Sequence, residues 1–264
     1  MTATDASHDA QPRAPARATS WLASACALIL GCGHADEPTA LVVGDEIDGV
    51  DERGRPIHLR IDDVTIDPRD PAGELPLYVF SERSADGGWR PHCNADGATT
   101  VPAIVVPGSW DPRGAYDDDP SRTTFACTNG AVAKCVRLGY APWRSFDGAS
   151  LREELLACVR MIRADYCGDG VTHTREGTPI AIWDARGVIP RGDADPDHER
   201  FEAAWSADGA VYLAAPRLGQ SIASIVATCP TRLAGRTSSD LPLDEAGVRA
   251  RFPEARLFDA RVLP

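Results

Sequence analysis

The sequence predicts an α+β domain with a β-rich N-terminal half, a central disulfide-stapled helix pair and a C-terminal β-hairpin. Three observations predict this class. Apolar residues alternate with polar ones over residues 41–107, and they recur at helical spacing in the centre of the chain. Six of the eight cysteines fall between residues 93 and 229, where they can link the elements of one fold.

The β-rich part, residues 41–107, begins with an alternating stretch over 57–61 that predicts a half-buried strand. The apolar positions then change parity at Val64. We therefore expect a β-bulge near Asp62 and Asp63, which would return the apolar side chains to one face.

A second alternating stretch follows at residues 75–80. The glycine-containing turn at 85–88 leads into residues 89–93, which predicts a hairpin. Residues 101–107 form a short apolar run typical of a strand.

The helical core, residues 127–167, contains two predicted helices. The first covers 130–138, with Asn129 as its N-cap and Gly139 at its C-terminal end. Ser150 and Glu153 form a capping box, so the second helix should begin at Leu151. Its apolar stripe contains Cys158, and it should end near residues 165–166.

The C-terminal strands, residues 178–229, include a predicted strand at 178–183 and a hairpin that joins 201–205 to 210–213. Residues 221–229 fit either a short strand or a helix. Residues 236–264 are assigned as a C-terminal tail, in which Asp244 would cap a last short helix.

The first forty residues indicate export. The apolar run at 21–31 is shorter than the roughly 20 residues that a membrane-spanning helix needs, and it is typical of a signal peptide over residues 1–31. It resembles a bacterial lipobox that ends at Cys32, which would carry the lipid. Residues 32–40 would then be the lipidated cysteine and a tether. The resemblance favours the outer membrane, because Gly33 stands where lipoproteins retained at the inner membrane carry aspartate. The alternative is a plain secretory signal and a secreted or periplasmic protein.

The remaining cysteines are even in number, which in an exported protein favours three disulfides. The candidates are Cys93, Cys127, Cys135, Cys158, Cys167 and Cys229. If the two helices lie antiparallel, the nested bridges Cys135–Cys158 and Cys127–Cys167 become reasonable and leave Cys93–Cys229. A zinc site and a catalytic thiol are the alternatives, although no Cys-x-x-Cys motif is present.

The net charge of −12 argues against a partner that is a nucleic acid, because binding phosphates needs a cationic face. No cofactor or metal motif is found. The acidic run at 193–197 begins like a calcium loop, but His198 occupies the position that requires glycine. Contact with a membrane is expected through the lipid anchor only.

Several motifs in the centre of the chain occur in a specific order, at residues 127–130, 133–135, 139–143, 157–161, 163–170 and 177–180. This series resembles the ADYC domain family, named for the tetrapeptide Ala164, Asp165, Tyr166 and Cys167. The resemblance covers about residues 40–235, so we expect an ADYC-like domain over 41–235. It implies a secreted or lipid-anchored bacterial protein, mainly of myxobacterial type, and it implies no reaction.

These observations favour a cell-envelope lipoprotein with a non-enzymatic binding or scaffolding domain, whose envelope partner or ligand the sequence does not identify. The alternative is an extracytoplasmic hydrolase or transferase. In that alternative, Cys167 and His173 would serve as nucleophile and base, with Asp165 or Asp169 as the orienting carboxylate.

Overall fold

The computed structural model describes residues 41–263 except positions 52, 94–99, 112, 194 and 196. The predicted signal peptide, the predicted lipidation of Cys32 and the tether at 32–40 therefore lie outside the described residues. None of the helices in the described ranges has the length and apolarity that a membrane span requires.

The elements of the described chain are short and numerous. The strands are β1 (Glu46–Val50), β2 (Pro56–Ile66), β3 (Pro76–Arg83), β4 (Trp89–Pro91), β5 (Ala103–Pro107), β6 (Ser109–Trp110), β7 (Tyr116–Asp117), β8 (Thr123–Cys127), β9 (Ser145–Phe146), β10 (Ala149–Ser150), β11 (Ile180–Asp184), β12 (Glu199–Ser206), β13 (Gly209–Leu213) and β14 (Leu257–Val262). The helices are α1 (Ala131–Arg137), α2 (Arg152–Arg163), α3 (Ile222–Thr228), α4 (Pro230–Leu233) and α5 (Glu245–Arg251).

The first sheet is antiparallel and has the strand order β1-β2-β3-β5-β8, with β4 paired to β3. Its β2–β3 register shifts between Ile61 and Asp63, so the predicted bulge is confirmed. Beyond the bulge, Val64 packs into the same apolar cluster as Leu59 and Ile61. The predicted hairpin is also confirmed, since β3 and β4 pair around the glycine turn.

The two central helices are confirmed with small differences at their ends. Gly130, not Asn129, is the N-cap of α1, and Gly139 follows the helix with a φ of 106°. Helix α2 begins at Arg152, because Leu151 takes the N-cap position with non-helical backbone angles. The predicted capping box of Ser150 and Glu153 is therefore wrong, and no side chain caps this helix. The segment at 221–229, which the sequence left open, contains helix α3, capped by the Ser221 side chain.

The second sheet has the order β11-β14-β12-β13, and all its pairs are antiparallel. The predicted hairpin is β12–β13. Residues 236–264, assigned as a tail from the sequence, contribute α5 with its Asp244 cap and the interior strand β14. These residues therefore belong to the fold, because β14 lies between β11 and β12.

Helix α2 packs against α1 and against three strands of the second sheet. The largest apolar cluster combines side chains of the first sheet, of both helices and of the second sheet, for example Ile104, Leu155 and Trp205. The α+β class with a β-rich N-terminal half is confirmed, and α2 lies at its centre.

The structure contains three disulfides, Cys93–Cys127, Cys135–Cys158 and Cys167–Cys229. The predicted bridge between the helices, Cys135–Cys158, is confirmed. The predicted pairs Cys127–Cys167 and Cys93–Cys229 are wrong. Cys127 ends β8 and faces Ala103 of β5 in the sheet register, and it packs in the same apolar cluster as its partner Cys93.

Candidate functional site

The tetrapeptide Ala164–Cys167 forms a tight turn directly after α2; with residues 168–170 we call it the ADYC turn. Ala164 is the C-cap and has a left-handed conformation, with φ 49° and ψ 42°. A non-glycine residue pays strain energy in this region, so neighbouring contacts must hold it. The N–H of Asp165 donates to the Arg160 carbonyl at 2.9 Å, which closes the end of the helix.

Asp165 is fully buried and paired. Arg160 donates to its Oδ2 at 2.6 Å. The backbone N–H groups of Asp169 and Gly170 donate to its two oxygens at 3.1 and 3.0 Å. Both carboxylate oxygens are therefore occupied by bonds that fix the turn, as a buried charge requires.

Tyr166 is buried under the second sheet. Its hydroxyl donates to Glu202 Oε1 at 2.9 Å and accepts the backbone N–H of Arg217 at 2.7 Å. Its ring stacks on Trp205 with centroids 5.3 Å apart. Burial, reinforced by the negative charge of Glu202, raises the pKa of Tyr166 far above its ordinary value, so the phenol stays protonated.

Cys167, the last residue of the tetrapeptide, forms a disulfide with Cys229 at the α3–α4 junction. Its sulfur belongs to a disulfide and is therefore not the free thiol that a nucleophile needs. The His173 ring lies 5.4 Å from the Tyr166 ring, and its Nδ1 is 3.3 Å from Gln220 Nε2. Asp169 uses its Oδ1 to accept the N–H of Val171.

The four residues of the catalytic alternative are neighbours in the sequence, but their side chains do not form the contacts that this alternative requires. No hydrogen bond or ion pair in the described part of the chain joins His173 to Cys167, Asp165 or Asp169. The order nucleophile–base–carboxylate that thiol catalysis needs is absent from these contacts.

A buried ion cluster adjoins the turn, and the sequence did not predict it. Arg217 donates from Nε to both oxygens of Glu202, and from NH2 to Asp259 Oδ2 at 2.7 Å. Arg217 also donates to the carbonyls of Met161 and Ile162 at the end of α2. One guanidinium therefore links the last turn of α2 to β12 and β14.

The two carboxylates of the cluster share this one strongly bonded cation. Burial raises the pKa of Glu202 and raises that of Asp259 further, although the charge and hydrogen bonds of Arg217 oppose the shift in both. Trp205 Nε1 also donates to Asp259 at 2.8 Å. The sequence carries a partial signal for these residues: Asp259 is the one carboxylate of the largely apolar β14, and Glu202 is followed directly by the apolar run of residues 203–205 in β12.

The residue that follows the tetrapeptide, Gly168, has no room for a side chain because another backbone segment lies against it. Gly168 has a φ of 72°, and a Cβ at this position would lie 1.8 Å from the Asp208 carbonyl oxygen. The N–H of Ala210 donates to the Tyr166 carbonyl at 3.0 Å on the same side. The ADYC turn and the β12–β13 hairpin therefore meet at backbone distance.

Within the described residues, no group of three or more His, Cys, Asp or Glu side chains is arranged to hold a metal ion. Lys134 Nζ lies 3.6 Å from Glu176 Oε1 in a surface ion pair. His198, which replaced the expected glycine of a calcium loop, pairs with Asp195.

A family model for the ADYC domain matches residues 39–219. The chain belongs to the ADYC domain family. No curated protein and no solved structure matches this chain. In this ADYC domain, the tetrapeptide supplies a helix stop, a buried ion pair, a core aromatic residue and a half-cystine.

The matched range ends at residue 219, yet two partners of the ADYC turn lie beyond it. Cys229 holds the turn covalently, and Asp259 completes the ion cluster next to Tyr166. The three disulfides indicate an extracytoplasmic protein, since such bonds persist in oxidising compartments.

Proposed function

We propose that this ADYC domain protein is an outer-membrane lipoprotein, anchored through Cys32, whose folded part binds or scaffolds an envelope partner without catalysis. One observation carries the non-catalytic part of the proposal. Two side chains that the catalytic alternative needs, Asp165 and Cys167, are engaged in an ion pair and a disulfide. A nucleophile or general base needs a group that is free to exchange a proton or attack.

The anchor is supported by the sequence before the fold. An apolar run at 21–31 ends at Cys32, and only a short segment separates this cysteine from the first described residue, Leu41. A single diacylated cysteine holds a protein at a membrane because each buried methylene contributes about 0.8 kcal/mol. The negative charge of the domain disfavours adsorption to anionic lipid by itself.

The anchor is tested by labelling with radioactive palmitate in a bacterial host that processes lipoproteins. The full chain should incorporate label and sediment with the outer membrane, whereas Cys32→Ser should do neither. Cys26→Ser, which removes the other early cysteine, is the matched control and should behave like the parent chain. A soluble, unlabelled parent chain would show a secreted or periplasmic protein and would overturn the anchor.

The non-catalytic role is tested by exposing the native chain to iodoacetamide and locating the modified cysteines by mass spectrometry. The proposal expects no alkylation at the six cysteines of the domain before reduction. Alkylation of Cys167 in the native chain would show that this residue carries a free thiol, and the hydrolase or transferase alternative would replace the proposal.

A further inference from the structure

A depression of about 290 Å³ lies between the β2–β3 turn at residues 67–75, the end of α1 and the segment that follows α1. Three arginines from separate parts of the chain line it. Arg69 belongs to the turn, Arg137 ends α1, and Arg144 directly precedes β9. The rest of the wall is largely apolar. A concave site with apolar walls and a few convergent polar groups is the usual form of a small-molecule site.

Two of these arginines are held in fixed orientations by carboxylates of the turn. Arg137 donates from Nε to Asp67 Oδ2 at 2.6 Å and from Nη2 to Asp67 Oδ1 at 3.1 Å. Arg144 donates from Nη1 and Nη2 to the two oxygens of Asp70, at 3.0 and 2.8 Å. Because each contact has two points, it fixes the plane of the guanidinium as well as its position.

The two carboxylates lie behind the arginines and are not presented to the depression. The side chains of Asp67 and Asp70 are 0% and 3% exposed, whereas those of Arg137 and Arg144 are 17% and 29% exposed. Backbone N–H groups of the turn also donate to both carboxylates and occupy their remaining oxygen capacity. The accessible polar surface of these two ion pairs therefore belongs to the arginines.

Each of the three arginines keeps donors for a further partner. Among the described residues, Arg137 Nη1 and Arg144 Nε have no acceptor, and neither atom is enclosed by the protein, so both reach solvent. Arg69 is exposed, and its guanidinium forms no ion pair or hydrogen bond within the described ranges. Glu74 lies 3.6 Å from Arg144 Nη2 and is itself largely exposed, so it leaves the Nε donor free.

We propose that this depression binds the phosphate group of a phosphate monoester. Arg137 and Arg144 are neutralised by their carboxylates, so they supply oriented N–H donors, while Arg69 supplies a charge that has no partner in the described chain. A phosphate has three terminal oxygens and can accept from all three arginines, whereas a single guanidinium already satisfies a planar carboxylate. The inference rests on the proposed binding function and names its ligand class.

The test uses glycerol 3-phosphate as the probe and glycerol, which lacks the phosphate, as the ligand control. Two-dimensional ¹H–¹⁵N NMR of the full chain follows the backbone N–H signals of residues 67–75 and the Nε–H signals of the three arginines. Ionic strength is held constant, because salt screens exposed charges. Glycerol 3-phosphate should shift these signals with a Kd in about the millimolar range, the affinity that so few atoms supply, and glycerol should not.

Two pairs of variants separate the depression from general effects of charge. Arg69→Gln should weaken glycerol 3-phosphate at least about tenfold. Arg53→Gln removes the same charge from an exposed turn at the other end of β2 and should leave the Kd unchanged. Pro71→Glu adds a carboxylate to the exposed part of the wall and should abolish the shifts, whereas the neutral Pro71→Gln should retain them. This second pair decides the test even if Arg69→Gln fails to fold.

A second arm distinguishes a free phosphate ester from a lipid headgroup. The full chain with Cys32→Ser, which cannot be lipidated there, is sedimented with phosphatidylcholine vesicles that contain or lack phosphatidic acid. Binding that requires phosphatidic acid, and that Pro71→Glu abolishes but Pro71→Gln retains, would identify a headgroup as a ligand. Shifts with glycerol 3-phosphate in the absence of vesicle binding would identify the free ester.

Three results would overturn the proposal: no shifts at residues 67–75, equal shifts with glycerol, or equal Kd values for Pro71→Glu and Pro71→Gln. The outcome is independent of the anchor. A chain that takes up palmitate but ignores glycerol 3-phosphate and phosphatidic acid refutes the phosphate site alone. A chain that binds glycerol 3-phosphate without being lipidated refutes the anchor alone.

Discussion

Arg217 donates from Nε to both carboxylate oxygens of Glu202, at 3.0 and 2.9 Å, with both side chains almost completely excluded from solvent. The same guanidinium binds Asp259 and the last carbonyls of α2. An ion pair in such a place contributes little net stability compared with an apolar core, but its disruption is expensive, because the remaining charges stay buried.

Replacement of the central cation, Arg217→Met, should therefore lower the free energy of unfolding by about 3–5 kcal/mol, since Glu202 and Asp259 lose their common partner. Urea unfolding followed by tryptophan fluorescence measures the change. Arg90→Met is the matched control, because Arg90 and Asp86 form an exposed pair at 3.4 Å; it should cost less than about 1 kcal/mol. Equal losses in the two variants would contradict the role of the buried cluster.

The close approach of the ADYC turn to the β12–β13 hairpin predicts a strong effect of one methyl group. Gly168→Ala should destabilise the fold by more than about 3 kcal/mol, because the added Cβ would overlap the Asp208 carbonyl oxygen at 1.8 Å. Gly177→Ala shares the positive φ, at 78°, but has no atom within 4 Å of the added group. It should cost only the left-handed strain of about 1–2 kcal/mol. Thermal unfolding of both variants compares the two costs.

The ion pair between Asp70 and Arg144 should make the free energy of unfolding depend on pH in the acid range. Arg144 donates to both carboxylate oxygens at 3.0 and 2.8 Å, and these bonds lower the pKa of Asp70 well below its ordinary value despite burial. The stabilisation is therefore fully present above the unfolded pKa of about 3.9 and is lost as the pH falls toward the folded value.

Asp70→Asn should accordingly reduce the loss of unfolding free energy between about pH 6 and pH 3, measured from urea midpoints along the series. Asp117→Asn, at an exposed position of β7, is the control and should leave the slope unchanged. A parent-like slope in Asp70→Asn would show that the Asp70–Arg144 pair does not contribute to acid unfolding.

The three disulfides should differ in how easily a thiol reduces them. Cys135 and Cys158 are completely buried, whereas Cys167 and Cys229 are partly exposed. Since exchange requires a thiolate to reach a sulfur atom, dithiothreitol should open Cys167–Cys229 first and Cys135–Cys158 last. Timed alkylation and mass spectrometry give the order, and early loss of Cys135–Cys158 would contradict it.

Local sequence patterns predicted many features of this fold, because residues that are close together in the chain determine those features. The bulge near Asp63 followed from a change of parity, and the Asp208–Gly209 turn and the Asp244 cap followed from turn and capping chemistry. The Cys135–Cys158 bridge followed from two adjacent helices. Each of these features depends on residues near in sequence or on a single helix–helix contact.

Long-range pairing was not predictable from the same patterns. Cys93 follows β4 and Cys127 ends β8, so their bridge depends on the assembly of the whole first sheet and not on the pattern of either strand. The insertion of β14 between β11 and β12 is likewise a property of the whole sheet. For this reason the buried cluster around Arg217, which joins three distant segments, was missed.

The central claim is that Cys167, at the end of the ADYC tetrapeptide, serves as a half-cystine of the fold. Non-reducing peptide mapping of the full chain tests it most directly. The account predicts that the Cys167 peptide is linked to the Cys229 peptide, alongside the pairs Cys93–Cys127 and Cys135–Cys158. A Cys167 peptide that is free, or linked to Cys127, would contradict it.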